Sequence, residues 1–291
     1  MRILTYTATE QDAGQRVEKV LLGPLQISRG LLSRLKHRTD GICVNGQKVY
    51  SAYVLRAGDV VTAQVGDAAP PRHLMPMKMD LTVVYEDEDL LVLDKPAHVP
   101  VHPTKDPTEQ NLEQGLLMYL SGGAYPHFVS RLDKGTTGLM LVAKSGYVHE
   151  LMKRRLHSED FFREYLAVAE GIVTPAVGTV DAPIGLAEGS SYRHCVRTDG
   201  AESISVYETL STAKGRTLLR LLPQTGRTHQ LRVHMAYLGY PLTGDWLYGT
   251  KSAAIDRPAL HSHRLAFVHP LTGERQEFIS PLPPDMQRLL S

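Results

Sequence analysis

The sequence predicts an α+β protein of two domains, and two observations support this prediction. Apolar runs typical of strands are interspersed with helical patterns, without the regular strand–helix alternation of a doubly wound sheet. At 291 residues the chain is about twice as long as a typical domain, and a proline-rich stretch without hydrophobic periodicity interrupts it. We therefore expect a small domain over residues 1–65, a linker over 66–79 and a larger domain over 80–291.

The composition is that of a globular protein from a reducing compartment. A hydrophobic fraction of 42% and a charged fraction of 22% exclude wholesale disorder. Two cysteines without CxxC spacing are too few for a disulfide framework. The first residues lack the apolar core of a signal peptide, and no run approaches the ~20 apolar residues of a membrane span. We therefore expect a cytoplasmic protein that is monomeric and does not associate with membranes.

Charge is unevenly placed along the chain. The total of 32 Lys and Arg against 31 Asp and Glu gives a formal net charge of +1, which taken alone argues against a nucleic-acid-binding protein. Residues 1–75, however, contain ten Lys and Arg but six Asp and Glu, whereas residues 76–291 contain 22 and 25. The small domain therefore carries the excess of positive charge.

The small domain is predicted to contain a basic helix followed by a β-hairpin. Ser28 is of a residue type that caps helices, and leucines 31, 32 and 35 share one helical face. Asn45-Gly46 indicates a two-residue hairpin turn. Four basic side chains project elsewhere from the helix: Arg29, Arg34, Lys36 and Arg38. For a single helix, such a basic face is more often simply solvated.

The order of these elements supports a second interpretation. The basic helix, the turn and the segments DGICVNGQKV and LRAGDVV together resemble the S4 RNA-binding domain over roughly residues 13–63. This resemblance implies that the small domain binds structured RNA. The four basic side chains would then contact phosphates and supply affinity that depends on salt and little on sequence.

In the larger domain, strands and helices are mixed. Strands are expected over 81–85, 90–93, 138–143, 165–169, 218–222 and 266–268, and helices over 111–119, 146–156 and 229–238. The chain contains no GxG, which excludes a Rossmann dinucleotide loop and a methyltransferase that depends on such a loop. Neither a P-loop, nor HExxH metal spacing, nor the Cys/His pattern of zinc deaminases occurs. We therefore predict neither a nucleotide cofactor nor a metal.

Three segments contain candidate site residues, each of which also has an ordinary structural explanation. Asp133, in a Gly/Thr-rich loop between Arg131 and Lys134, is either a turn residue or a carboxylate kept ionised by neighbouring cations. Tyr165 is either a core aromatic or a platform on which a base stacks. The third segment is acid-free from 211 to 244 and includes Lys214, Arg216, Arg220, Arg227 and Arg232. A first acid-free basic stretch lies between Glu18 and Asp40 of the small domain. Two such stretches favour a polyanionic partner.

Four separated motifs occur in one order, and together they resemble the RluA-type pseudouridine synthase family. They read EDEDLLVLDKPAHVPVHP, RLDKGTTGLMLVAK, REYLAVAEG and LLPQTGRTHQLRVHMAYLGYPLTGDWLYG, and the resemblance spans about residues 80–280. It implies an isomerase that converts uridine to pseudouridine in RNA without cofactor or metal. It also implies a mixed, largely antiparallel sheet with a central cleft.

The resemblance assigns roles to individual residues. Asp133 would be the essential carboxylate, Tyr165 would pack on the target base, and Arg227 would pair with Asp133. Arg131 would fill the space left by the flipped nucleotide. From the charge pattern we expect the basic stretch from Lys214 to Arg232, with Arg216 and Arg232, to contact RNA together with the small domain. Ser130 stands where many members of the family have His.

The expected substrate is structured RNA, with large-subunit (23S) ribosomal RNA favoured because members with an S4 domain mostly act there. Two alternatives remain, namely a tRNA pseudouridine synthase and a non-catalytic S4-type RNA-binding or ribosome-assembly protein. The non-catalytic protein would need the basic stretches but not Asp133, Tyr165 and Arg227 together.

Overall fold

A computed structural model describes residues 2–66, 75–106, 108–120 and 124–291. Of the predicted linker, residues 67–74 lie outside the described part of the chain. The N-terminal module consists of β1 (Arg2–Thr7), α1 (Val17–Leu22), α2 (Arg29–Leu35), β2 (Ile42–Val44), β3 (Gln47–Lys48) and β4 (Val60–Val65). Its strands form an antiparallel sheet in the order β1-β4-β2-β3.

Local signals in the sequence explain the module's central elements. The Ser28 side chain caps α2 by accepting a hydrogen bond from the backbone N–H of Leu31 at 3.2 Å. The three leucines of α2 are buried in the core. Asn45 and Gly46 both have positive φ, 51° and 77°, as a tight hairpin between β2 and β3 requires.

The larger domain is built around one mixed sheet. Its strands are β5 (Thr82–Glu86), β6 (Leu90–Lys95), β7 (His127–Phe128), β8 (Thr137–Ala143), β9 (Phe161–Glu170), β10 (Val177–Asp181), β11 (Ile184–Leu186), β12 (His194–Val196), β13 (Ile204–Ala213), β14 (Arg216–Pro223), β15 (Leu260–Val268) and β16 (Arg275–Ile279). Its helices are α3 (Leu112–Tyr119), α4 (Gly146–Arg155), α5 (Gln230–Tyr237) and α6 (Pro284–Gln287).

Ten of these strands form the sheet in the order β10-β13-β14-β9-β15-β8-β6-β5, with β16 on β15 and β7 on β8. Among the described strands, β15 and β8 pair in parallel and all other pairs are antiparallel. The predicted α+β class with a mixed, largely antiparallel sheet is confirmed. Strands β11 and β12 form a separate hairpin.

The predicted helices agree with α3, α4 and α5 to within about one residue at each end, whereas two strands begin four or more residues before their predicted start. Strand β9 begins four residues before the predicted 165–169, and β15 begins six residues before the predicted 266–268. The additional part of β15 is mostly polar. His261 and Ser262 are nevertheless buried, and their hydrogen bonds to Thr137 Oγ1 and to the Leu139 carbonyl, both at 2.9 Å, replace those that water would make. A search for periodic apolar residues does not detect a strand whose buried side chains are polar and hydrogen-bonded.

Both faces of the sheet are covered. Along β6, Leu90 and Val92 belong to the core shared with α4 and the N-terminal module, whereas Leu91 and Leu93 belong to the core under α3 and α5. This alternation follows from the two-residue period of a strand. The second core includes Tyr165, so the side of the sheet covered by α3 and α5 is also the side that carries the candidate site.

The module and the larger domain are in direct contact. Tyr147 on α4 donates a hydrogen bond to the Leu25 carbonyl at 3.0 Å, and Arg2 on β1 pairs with Asp89. Buried side chains of α1, α2 and α4 lie in one apolar cluster. The module therefore has a defined packing interface with the larger domain in addition to its covalent connection.

Close backbone approach fixes the strand that follows the Asp133 loop. Gly138 has φ +105°, and a Cβ there would lie 2.2 Å from the Ser262 carbonyl oxygen. Gly138 and Ser262 are register partners where β8 and β15 run parallel. Only glycine allows this contact, which holds the Asp133 loop beside the centre of the sheet.

Two buried cations hold the backbone directly after Asp133. Nζ of Lys95 lies within hydrogen-bond distance of the carbonyl oxygens of Pro96, Val99 and Lys134, at 2.8, 2.9 and 3.1 Å. Arg257, 2% exposed, donates to the Gly135 carbonyl at 3.2 Å. Burial lowers the pKa of Lys95 to about 7, although the charge of Asp133 acts to raise it.

Replacing Lys95 with methionine is expected to lower the free energy of unfolding by at least about 3 kcal/mol, because three carbonyl groups lose a buried donor. Urea denaturation measures this change. The matched control is Lys251→Met, which alters an exposed lysine and should change stability by no more than about 0.5 kcal/mol. Equal stability of the two variants would contradict the proposed anchoring role of Lys95.

Candidate active site

A cleft of about 690 Å³ opens on the face of the sheet that carries Tyr165. Its walls come from the loop between β7 and β8, from α4 and β9, and from the loop that leads from β14 into α5. Segments far apart in sequence therefore meet in one depression, and Asp133, Tyr165, Arg131, Arg227 and Arg232 all line it.

Asp133 lies in a turn, but its side chain faces the cleft. The backbone N–H of Thr136 donates to the Asp133 carbonyl at 3.0 Å, which closes the turn. The carboxylate, with 26% of the side chain exposed, accepts a hydrogen bond at Oδ2 from Nη1 of Arg232 at 3.1 Å. The backbone therefore forms the turn, while the carboxylate remains accessible from the cleft.

Arg232 is held between two carboxylates. Its Nε and Nη2 donate to the two oxygens of Asp245 at 2.7 and 2.8 Å, while Nη1 reaches Asp133. Asp245 is fully buried and Arg232 is 6% exposed. Burial alone would lower the pKa of Arg232, but Asp245 and Asp133 raise it above its usual value. Asp245 therefore orients the guanidinium that orients Asp133.

The predicted pairing of Arg227 with Asp133 is wrong, because Arg232 is the arginine that binds this carboxylate. That Arg232 contacts RNA stays a prediction. Arg227 precedes α5, is exposed, and donates through Nε to the Glu202 carbonyl at 2.9 Å. The reason is geometric: α5 begins at Gln230, so its first turn directs Arg232 inward, whereas Arg227 remains in the loop at the cleft wall. The segment GRTHQLR offers two arginines, and its spacing alone does not show which one faces inward.

Tyr165 lies on β9 at the centre of the sheet, opposite Leu221 of β14 and Ser262 of β15. It is 7% exposed, and burial raises its pKa above the usual value. The ring belongs to the second core and also lines the cleft. A rigid aromatic ring at the base of a cleft, close to a carboxylate, suits a flat ligand such as a base.

Comparison with known proteins identifies this arrangement. Residues 89–237 match the family model of the RNA pseudouridylate synthases, and this segment contains Asp133, Tyr165 and Arg232. The chain belongs to the RNA pseudouridylate synthase family. It is an RluA-type enzyme, an isomerase that acts on RNA.

Relatives of this pseudouridine synthase cover nearly the whole chain. It is 38% identical to an uncharacterized RNA pseudouridine synthase, YjbO, of Bacillus subtilis, over 94% of this chain and 97% of the relative. It is 36% identical to ribosomal large subunit pseudouridine synthase D of Vibrio cholerae, over 97% and 92%. The structure of human RNA pseudouridylate synthase domain containing 1 is 26% identical, with a TM-score of 0.57, over 73% of this chain and 86% of that one.

The synthase's cleft is strongly positive. Among the described residues that line it, five are Lys or Arg and one, Asp133, is an acid. Lys153 of α4 and Arg163 of β9 line the cleft together with His157. These three residues are not among those that the motifs in the sequence indicate. Lys153 is exposed, and Arg163 lies next to the loop around Gly226. Lys153 belongs to the basic run Lys153-Arg154-Arg155 at the end of α4, whereas Arg163 lies in a separate segment. Only the fold brings the two side chains to one cleft.

The long acid-free stretch does not form one positive surface. Arg216, predicted to contact RNA, starts β14 at the end remote from the cleft loop and pairs with Glu170 at 3.3 Å. Arg220 lies between Glu164 and Glu208, at 3.5 and 2.7 Å. The acids come from the neighbouring strands β9 and β13, so a stretch that is acid-free in sequence is largely neutralised in the sheet.

The four basic residues predicted in the module differ in exposure. Arg29 and Arg34 are exposed, whereas Lys36 and Arg38 are half-buried. The guanidinium of Arg38 donates to the Gly66 carbonyl at 3.2 Å, where the module's described part ends. Arg29 and Arg34 are therefore the side chains of α2 that are best placed to meet a partner.

One group of possible metal ligands lies outside the cleft, among the described residues: Asp87, Asp89 and His269. Asp89 pairs with Arg2, and Asp87 accepts from the backbone N–H groups of Asp89 and Leu90 at 2.8 and 2.7 Å. The carboxylates are already engaged within the protein, so the group is explained as a structural contact. No described helix has the length and apolar character needed to traverse a bilayer.

Proposed function

We propose that this pseudouridine synthase isomerises one uridine or a few in large-subunit ribosomal RNA. The observation that carries the proposal is the position of Asp133, whose carboxylate faces a positive cleft beside the ring of Tyr165. The choice of RNA rests on the relatives named ribosomal large subunit pseudouridine synthase D, 33–36% identical over 97% of this chain.

The target uridine is flipped out of the folded RNA before it reacts. The reaction breaks the N1–C1′ bond, turns the uracil and joins C5 to C1′, which a stacked base does not allow. Extrusion costs a few kcal/mol, and stacking of the base on Tyr165 offsets about 1–3 kcal/mol of it. Arg131 is exposed at the cleft and makes no described hydrogen bond to another side chain. It is therefore free to enter the vacated space.

Asp133 acts on the ribose. Its Oδ2 is held by Arg232, whereas none of the hydrogen bonds among the described residues reaches Oδ1. The free oxygen either attacks C1′ as a nucleophile or removes the proton from C2′, and both routes need an ionised carboxylate. Arg232 fixes the orientation of that carboxylate. No electrons and no external group are transferred, because the product has the same atoms as the substrate.

The N-terminal module, residues 2–66, serves as an S4-type RNA-binding unit. The exposed Arg29 and Arg34 on α2 support this role, as does the packing of the module on α4, which also contributes Lys153 to the cleft. An RNA held by the module would thus be kept at a fixed position relative to Asp133.

Lys153→Gln and Arg163→Gln are each expected to weaken RNA binding and to lower the slope of log Kd against log salt by about 0.7–0.9, the value of one phosphate contact. Filter binding at several salt concentrations measures the slope. Arg216→Gln is the matched control, because Arg216 pairs with Glu170 away from the cleft. If the control lowered the slope as much as Lys153→Gln, the positive cleft wall would not be the RNA path.

Release of the C5 hydrogen from labelled uridine tests the function. The wild-type protein is expected to release it from large-subunit ribosomal RNA and not from bulk tRNA, and mapping of pseudouridine in RNA from a deletion strain locates the site. Release from tRNA alone would support the tRNA alternative. RNA binding without release from any cellular RNA would support the non-catalytic alternative.

A further inference from the structure

His229, the residue that begins α5, lies in the cleft beside Asp133. Its backbone is left-handed, with φ 57° and ψ 16°, a conformation that costs a non-glycine residue of order 1–3 kcal/mol. The imidazole lines the cleft, with 17% of the side chain exposed. Backbone strain of this size persists only where the surrounding structure enforces it, and residues strained in this way cluster at active sites.

A chain of hydrogen bonds fixes the position of the imidazole proton. The backbone N–H of His194 donates to Oη of Tyr248 at 3.0 Å, and Oη lies 2.8 Å from Nδ1 of His229. With the N–H of His194 on its oxygen, the phenol can donate its own proton to Nδ1, and in that arrangement Nδ1 is the acceptor. Burial lowers the pKa of His229, which favours the neutral ring. The single remaining N–H is therefore at Nε2.

That N–H faces the carboxylate. Nε2 lies 3.9 Å from Oδ2 of Asp133, the same oxygen that Arg232 binds at 3.1 Å. The separation is longer than a hydrogen bond, and contacts of this type shorten when a substrate occupies the site. Arg232 binds Oδ2 and Nε2 of His229 lies near the same oxygen, so Oδ1 is left for the ribose.

We propose that His229 is a positioning residue, which presents a neutral Nε2–H donor to Oδ2 of Asp133 and whose tautomer is set by Tyr248. A neutral donor orients the carboxylate without adding a second positive charge beside Arg232. The inference rests on the proposed role of Asp133 on the ribose. It predicts a loss of turnover, not of RNA binding, when the donor is removed.

Two readouts test the proposal. In the free protein labelled with ¹⁵N-histidine, NMR is expected to show His229 protonated at Nε2. Tyr248→Phe, which removes the donor to Nδ1, is expected to raise the population of the Nδ1-protonated tautomer. In the assay of C5-hydrogen release, His229→Ala is expected to lower kcat about 10²-fold and to change KM less than about threefold. His229→Gln, which retains an N–H donor, is expected to have a kcat at least tenfold higher than that of His229→Ala.

His98→Gln is the matched control, because His98 also has positive φ, 63°, but pairs with Asp256 and does not line the cleft. It should leave kcat and KM unchanged. An Nδ1-protonated His229 in an active wild-type protein, or a glutamine variant no better than alanine, would overturn the inference alone. Absence of C5-hydrogen release from the wild-type protein would overturn the proposed function instead, and the tautomer measurement does not depend on it.

Discussion

Asp133→Asn is expected to reduce pseudouridine formation by about 10⁴-fold or more, the size of effect seen when a group central to covalent or acid–base chemistry is removed. Asparagine has nearly the shape of aspartate but supplies neither a nucleophilic oxygen nor a base. RNA affinity should change little, because Asp133 is an acid in an otherwise positive cleft. C5-hydrogen release and filter binding on the same preparations measure the two quantities.

The matched control for this substitution is Asp256→Asn. Asp256 has 83% of its side chain exposed and pairs with His98, outside the residues that line the cleft. Its variant should retain the wild-type rate. Equal rates for wild-type protein and Asp133→Asn would show that another group carries the chemistry and would remove the basis for the proposed mechanism.

Arg232 substitutions are expected to have the second largest effect. Arg232→Met should lower the free energy of unfolding by about 3–5 kcal/mol, because it removes the guanidinium partner of the fully buried Asp245. Arg232→Lys retains the charge but cannot make the two parallel hydrogen bonds to Asp245 while also reaching Asp133. We expect it to fold and to lose about 10²-fold in kcat through misplacement of Asp133.

The informative comparison is with Arg227→Met. Arg227 is exposed and bonds the Glu202 carbonyl, so its loss should change stability by no more than about 0.5 kcal/mol and should raise KM for RNA more than it lowers kcat. Urea denaturation and steady-state kinetics of the three variants separate the two arginines. A collapse of kcat in Arg227→Met with normal turnover in Arg232→Lys would restore the pairing inferred from the sequence.

The features of this protein that depend on short stretches of chain could be predicted from the sequence. The cap at Ser28 and the Asn45-Gly46 turn follow from local backbone chemistry, and both occur in the structure. The RluA-type motifs contain Asp133 and Tyr165, and both side chains line one cleft in the structure. Local patterns sufficed because capping, turns and motif spacing involve residues only a few positions apart.

The tertiary structure decided which charges meet. Arg232 is the partner of Asp133 because α5 turns it inward and Asp245, thirteen residues later, holds it there. Arg216 and Arg220 face acids of neighbouring strands, whereas Lys153 and Arg163 converge on the cleft from separate elements. The sequence by itself determined the family and singled out Asp133 and Tyr165. Which arginine orients the carboxylate, and where positive charge remains unpaired, depended on contacts between distant segments, because ion pairing is set by distance in space and not by separation along the chain.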